Sequence, residues 1–197
     1  STIIGTPCGT FSVARIRRPG VVDNGPPQMR DKERPEGVDG LAPGYAAQLE
    51  VSNILVQRTV DIARAMRAAG GTVIIENPVT RSDSSSPLYR WIWRSHASLW
   101  MHELMLELAR EDWVNFVSFP QCALDGEYQK WTTLLYSTEL KPYLEALGDL
   151  TCEHKTHKKQ AVGFDEVLGK WRSADAAAYP AVMNAVLVQA IIAAMRC

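Results

Sequence analysis

Two short segments of this chain carry residue types that could do covalent chemistry together. In Pro7-Cys8-Gly9-Thr10-Phe11-Ser12 a cysteine follows a β-branched run and opens a glycine-containing loop. A thiol at a strand end, beside a loop that ligands can reach, suits an exposed nucleophile. The plainer reading of a lone cysteine is a small buried hydrophobe. In Ile74-Ile75-Glu76-Asn77-Pro78 a carboxylate closes a second β-branched run. An acidic group beside a core costs free energy unless it is paired or used. A thiolate and a carboxylic acid on neighbouring strand ends suit attack on an electron-poor ring. The sulfur adds, and the acid gives a proton or hydrogen bond to the charge that develops. The competing reading of Glu76 is a cap on the following loop through backbone N–H groups.

A third group is Cys152-x-His154-x-x-His157, with Cys122 upstream. Two sulfur and two nitrogen donors suit a tetrahedral zinc site. The spacing matches no standard zinc finger, and a basic loop with solvent-facing histidines is the alternative. Such a metal would staple the C-terminal segment and leave the chemistry elsewhere. Tyr89, Trp91, Trp93 and Trp100 could stack on bases, although aromatic residues at mixed spacing more often serve core or interface. His96 and His102 are the partners a Cys8 hydrolase dyad would need, and nothing in their spacing supports one.

These groups need a frame. Residues 1–7 read as a short buried strand. A proline- and glycine-rich loop follows over 19–44. A helix is predicted from Leu49 to Ala69, with Val51, Leu55, Ile62 and Met66 at helical spacing and Gly70-Gly71 as its stop. Thr72–Ile75 is the next strand, breaking at Glu76. A helix over Ser98–Arg110, strands over Asn115–Phe119 and Thr132–Ser137, and a turn at Asp125-Gly126 come next. A short helix over Glu139–Leu147 precedes a last helix after Pro180, with Val182, Val186, Leu187, Ala190 and Ile191 on its apolar side. Alternating strands and helices predict one α/β domain over 1–197, with a mostly parallel sheet and covering helices. Ligands of such sheets collect at the carboxyl ends of the strands, where Cys8 and Glu76 fall.

Pro7-Cys8-x-x-Phe11-Ser12 and Glu76-Asn77-Pro78 together resemble the Pro-Cys and Glu-Asn-Val motifs of the cytosine-5 DNA methyltransferase family. Their order, with a helix between them, is that of the family. Tyr128-Gln129-Lys130 is similar to its Gln-x-Arg-x-Arg segment, and Met183-Asn184-Ala185-Val186 to its Gly-Asn-x-Val motif. The resemblance touches points over almost the whole chain and implies a partial Rossmann-type methyltransferase sheet. It implies that Cys8 attacks carbon 6 of a flipped cytosine and that Glu76 engages ring nitrogen 3. It further implies that Ser12, Arg15, Asn77 and Lys130 hold the base or nearby phosphates. Pro7 and Asn184 would sit by the methyl donor, S-adenosylmethionine. Gly9 stands where the family has Gln, Pro78 where it has Val, and Met183 where it has Gly. The family's glycine-rich donor loop should precede the catalytic loop, and only seven residues do so. No target-recognition domain of useful size fits between Ser137 and Pro180. The expectation is therefore a catalytic-loop half whose donor-binding part lies elsewhere. The alternative is a catalytically inactive methyltransferase-like subunit with a structural role in a larger complex.

The formal net charge of −1 gives no global attraction to nucleic acid, so a nucleic-acid partner would rely on local patches. These are Arg15, Arg17 and Arg18, and Lys155, His157, Lys158 and Lys159. Four cysteines are too few and too scattered for a secreted disulfide framework, which predicts a reducing, intracellular compartment. No apolar stretch is long enough for a membrane span. Thr2, Ile3 and Ile4 open the chain as if in mid-core. This predicts a fragment, a processed chain, or a protein partner that completes the sheet.

Overall fold

The computed structural model describes residues 1–16, 25–159 and 164–196. Arg17, Arg18 and the first part of the 19–44 loop lie outside them. The fold is mixed α/β. Its main sheet has four strands, β1 (Thr2–Gly5), β2 (Val73–Pro78), β3 (Val114–Pro120) and β4 (Trp131–Ser137), in the order β1-β2-β4-β3. β1 and β2 are parallel, with Gly5 opposite Glu76. β4 is antiparallel to both β2 and β3. The expected mostly parallel sheet is thus corrected, since two of its three ladders are antiparallel. The cause is local: β3 and β4 are joined by a short connection through Asp125 and Gly126, which allows only a reversal, whereas a parallel pair needs a long crossover. β1, β2 and β3 still share one direction, with β4 reversed between the last two.

The crossover from β1 to β2 contains α1 (Pro43–Ala68). It starts earlier than the periodicity predicts, at a proline suited to a first helical turn. It stops where predicted: Gly70 has φ of 72°, and the Gly70 and Gly71 N–H groups donate to the Arg67 and Met66 carbonyls. The predicted helix over Ser98–Arg110 is divided. A 3-10 turn at Leu99–Met101 ends at His102, whose extended backbone then caps α2 (Glu103–Leu108). Residues 138–149 form two 3-10 turns flanking α3 (Lys141–Leu144). A small hairpin, β5 (Phe164–Asp165) and β6 (Lys170–Trp171), leads to α4 (Arg172–Asp175) and α5 (Ala181–Ala194).

Alternation along the strands feeds two cores. Ile74, Leu134, Tyr136, Val117 and Phe119 face α5 and α3, meeting Met183, Leu187, Ala190 and Leu144. Val73, Ile75 and Leu135 face α1 and α2, meeting Val56, Val60, Ala63, Met105 and Leu108. The apolar side predicted for α5 is buried at Leu187 and Ala190, whereas Val182 is exposed. On α1 the apolar residues at helical spacing are mostly not the buried side, and of the four only Met66 packs against the core. Val51, Leu55 and Ile62 are exposed, and the buried side carries Ser52, Val56, Thr59, Val60 and Ala63. The physical reason is hydroxyl bonding to the loop after β1. Thr59 pairs with Thr6 at 2.9 Å, and Ser52 with Thr10 at 2.7 Å. No helix among the described residues is long and apolar enough to cross a membrane.

Candidate active site

Glu76 is where the parallel pair, the reversed strand and the C-terminal segment converge. It lies at the carboxyl end of β2 and is buried. The Tyr179 hydroxyl donates to its Oε2 at 2.8 Å, and the Thr132 hydroxyl of β4 donates to its Oε1. Lys130 Nζ lies 3.5 Å from Oε1 and 5.5 Å from the centre of the Tyr179 ring. The partners of Glu76 are therefore side chains from β4, from the connection before it and from the segment before α5, and the loop-capping reading of Glu76 is not what the geometry shows. Gly5, opposite Glu76, leaves room for this arrangement: a Cβ there would lie 2.9 Å from the Tyr179 hydroxyl.

Cys8 follows β1 by three residues and is half-buried with a free thiol. Burial pushes the thiol up; Lys130 opposes that rise, and the Glu76 charge adds to it. Both residues thus act on Cys8 electrostatically, and at neutral pH the resting group is the thiol. Burial, the Glu76 charge and the hydrogen bond to Glu76 all push the Tyr179 phenol up, so it stays a donor.

The loop carrying Cys8 is held from several sides. The Phe11 N–H donates to the Cys8 carbonyl at 3.0 Å, closing a turn. Asn77 Nδ2 donates to the Thr6 carbonyl at 2.7 Å, tying the two strand ends together, while its Oδ1 is buried with no protein partner. Arg30 is 2% exposed, sits 4.0 Å from the centre of the Phe11 ring, and donates to Thr10 Oγ1, Ser52 Oγ, Asn53 Oδ1 and the Pro35 carbonyl. His96 links the loop to the segment after β2. Its Nε2 lies 2.8 Å from the Phe11 carbonyl, and its Nδ1 accepts the Arg81 N–H at 3.1 Å. Those two bonds fix the tautomer with hydrogen on Nε2.

Of the residues singled out in the sequence, Cys8, Glu76, Asn77 and Lys130 are brought together. Ser12 caps the 3-10 turn Val13–Arg15 by accepting the Ala14 N–H. Arg15 is turned inward, donating to the Gly9 and Pro27 carbonyls and to Gln48. Pro7 is exposed, and Asn184 is exposed on α5. No hydrogen bond joins either to the Glu76 cluster among the described residues. His96 is committed to Phe11 and Arg81, and neither it nor His102 bonds Cys8. Trp100 belongs to the core, donating to the Pro78 carbonyl at 3.0 Å and meeting Phe116 edge-on, whereas Trp91 is exposed under Arg94.

Sequence reasoning missed Thr132, Tyr179 and Arg30, and it considered His96 only as a partner for Cys8, whereas the ring bonds Phe11 and Arg81. Gly5 at a strand end was the one local sign that something approaches closely there. A second cluster lies away from Glu76: Cys122, Cys152, His154 and His157 present ligand atoms that could hold a metal ion, all within 4.8 Å of one another. Compared with known proteins, the chain matches no family model, no curated protein and no solved structure.

Proposed function

We propose that Cys8 and Glu76 form the nucleophile–acid pair of a nucleic-acid cytosine-modifying site of the cytosine-5 methyltransferase kind, on a partial Rossmann-type sheet. The observation that carries this reading is the adjacency of the two parallel strand ends. Cys8 leaves β1 beside the carboxylate that ends β2, and Thr132, Tyr179 and Lys130 fix that carboxylate. In the chemistry proposed, the Cys8 thiol releases its proton to solvent and its sulfur bonds to carbon 6 of an unstacked cytosine. The carbon 5–carbon 6 π pair moves toward ring nitrogen 3, where Glu76 supplies a proton or hydrogen bond. Carbon 5 becomes electron-rich, and reversal restores the ring. Tyr179 and Thr132 hold Glu76 in place, and Lys130 offsets negative charge on both Glu76 and Cys8. S-adenosylmethionine would be the methyl source for such a site. Because no hydrogen bond joins Pro7 or Asn184 to the Glu76 cluster among the described residues, the reading assigns donor binding to other residues. The free thiols of Cys8, Cys122 and Cys152 accord with a reducing compartment. Zinc is the ion we favour for the second cluster.

The addition step can be tested without a methyl donor. Reversible attack at carbon 6 labilises the hydrogen on carbon 5, so the chain is incubated in deuterated buffer with a cytosine-containing oligonucleotide. Mass spectrometry then reads deuterium at carbon 5. Exchange that disappears in Cys8→Ala and falls in Glu76→Gln is expected. No exchange by a folded chain that binds the oligonucleotide would sink the catalytic reading.

A second reading, a catalytically inactive subunit of a larger assembly, has one observation in its favour. Val51, Ile54, Leu55 and Ile62 leave an apolar stripe of α1 exposed, and β1 pairs on one side only among the described residues. The same exchange experiment separates the two readings.

A further inference from the structure

The Cys/His cluster is built from two segments far apart in sequence. Cys122 is buried in the 3-10 turn Gln121–Leu124 that follows β3. Cys152, His154 and His157 come from the loop that follows residue 149. Cys152 Sγ lies 3.2 Å from His157 Nε2 and 4.0 Å from His154 Nδ1, and the two imidazole rings are 5.4 Å apart. Zinc bonds of about 2.3 Å to sulfur and 2.0–2.1 Å to nitrogen imply ligand separations of roughly 3.3–3.8 Å in a tetrahedron. The two Cys152–histidine spacings bracket that range, and all four ligand atoms lie within 4.8 Å of one another, close enough to hold an ion.

The surroundings keep the two segments in place. Asp125 takes φ of 67°, and the Gly126 N–H donates to the Gln121 carbonyl at 3.0 Å. A Cβ on Gly126 would lie 2.7 Å from that carbonyl oxygen, so the turn presenting Cys122 requires glycine. On the other side, the Lys159 N–H donates to the Glu127 carbonyl at 3.0 Å, Tyr128 and Lys159 form a parallel bridge, and Lys159 pairs with the Glu127 carboxylate. Two residues past Tyr128 the same connection delivers Lys130 to Glu76.

We infer that Cys122, Cys152, His154 and His157 bind one zinc ion with no open position, as a structural staple between the β3–β4 connection and the 152–159 segment. Four protein ligands leave no place for a reactive water, which separates such a site from a catalytic one. By fixing the base of the connection, the ion also sets where Lys130 meets Glu76. The inference does not depend on the cytosine reading.

The test begins with metal analysis of the full chain purified without chelator. One zinc per chain is expected, retained in Cys8→Ser and lost in the Cys152→Ser/His157→Ala double variant. Because that variant could fail to fold, the unmodified chain is also stripped with chelator and given cobalt(II). Tetrahedral visible bands and a thiolate charge-transfer band are expected, together with renewed protection of the Lys159 amide, which donates to the Glu127 carbonyl, from hydrogen exchange. Substoichiometric zinc with no cobalt bands would overturn the inference, as would zinc that stays in a folded double variant. A Cys122–Cys152 disulfide in protein prepared under reductant would overturn it as well.

Discussion

Acid should loosen the loop that carries Cys8, and His96 should be the cause. The imidazole is 3% exposed and uses both nitrogens, one toward Phe11 and one toward Arg81. Burial holds its pKa down, from 6.5 to about 4; the bond to Phe11 resists the drop and the Arg81 charge adds to it. Because the folded value is the lower one, the unfolded chain binds the extra proton first. His96 therefore costs the fold nothing above about pH 6.5. Stability falls as the pH drops from there and levels off below about 4. At 1.36 kcal/mol per pH unit the whole effect is about 3 kcal/mol, of which about 2 kcal/mol is reached by pH 5. Protonation also converts Nδ1 from acceptor to donor, leaving the Arg81 N–H without its partner. The assay is urea unfolding between pH 7.5 and 4.5 for the parent and for His96→Gln. Glutamine can donate to Phe11 and accept from Arg81 but does not titrate. Carboxylates elsewhere act equally in both proteins, so the difference between the two curves isolates His96. Parallel curves across that range would refute the reasoning.

Further outcomes follow from the same contacts. Tyr179→Phe keeps the ring over Lys130 and removes the donor to Glu76; a loss of about 1 kcal/mol in urea unfolding is expected. The same substitution should slow carbon 5 exchange more than it weakens oligonucleotide binding, and an unchanged exchange rate would place Tyr179 outside the site. Arg30→Ala leaves Thr10, Ser52, Asn53 and the Pro35 carbonyl without a buried donor, and a loss of about 1–3 kcal/mol is expected. Protease cleavage near Thr10 should rise with it, and Arg30→Lys should rescue little, because one ammonium cannot reproduce the guanidinium fork.

Much of the frame was legible in local sequence. The β-branched runs, the Gly70-Gly71 stop and the turn at Asp125-Gly126 are decided by neighbours along the chain, so β1, β2, β3, β4, α1 and α5 stand close to where periodicity put them. Cys8 and Glu76 could be placed at strand ends for the same reason. The Cys/His spacing was also visible, because three of its four ligands lie within six residues.

Tertiary structure decided the rest. The insertion of β4 between β2 and β3 pairs Ile74 with Tyr136 and Pro78 with Thr132, residues far apart along the chain, and no local signal records that. The buried face of α1 escaped apolar periodicity because Ser52 and Thr59 face inward to bond Thr10 and Thr6. Hydropathy alone assigns such hydroxyls to solvent. Tyr179 lies 103 residues from the carboxylate it serves, and Thr132 lies 56 residues away. Residue types and spacing along the chain were enough to single out Cys8, Glu76 and the Cys/His group. Only the folded sheet determined that Glu76 is held by a tyrosine, a threonine and a lysine, because hydrogen bonds form between neighbours in space and carry no spacing rule along the chain.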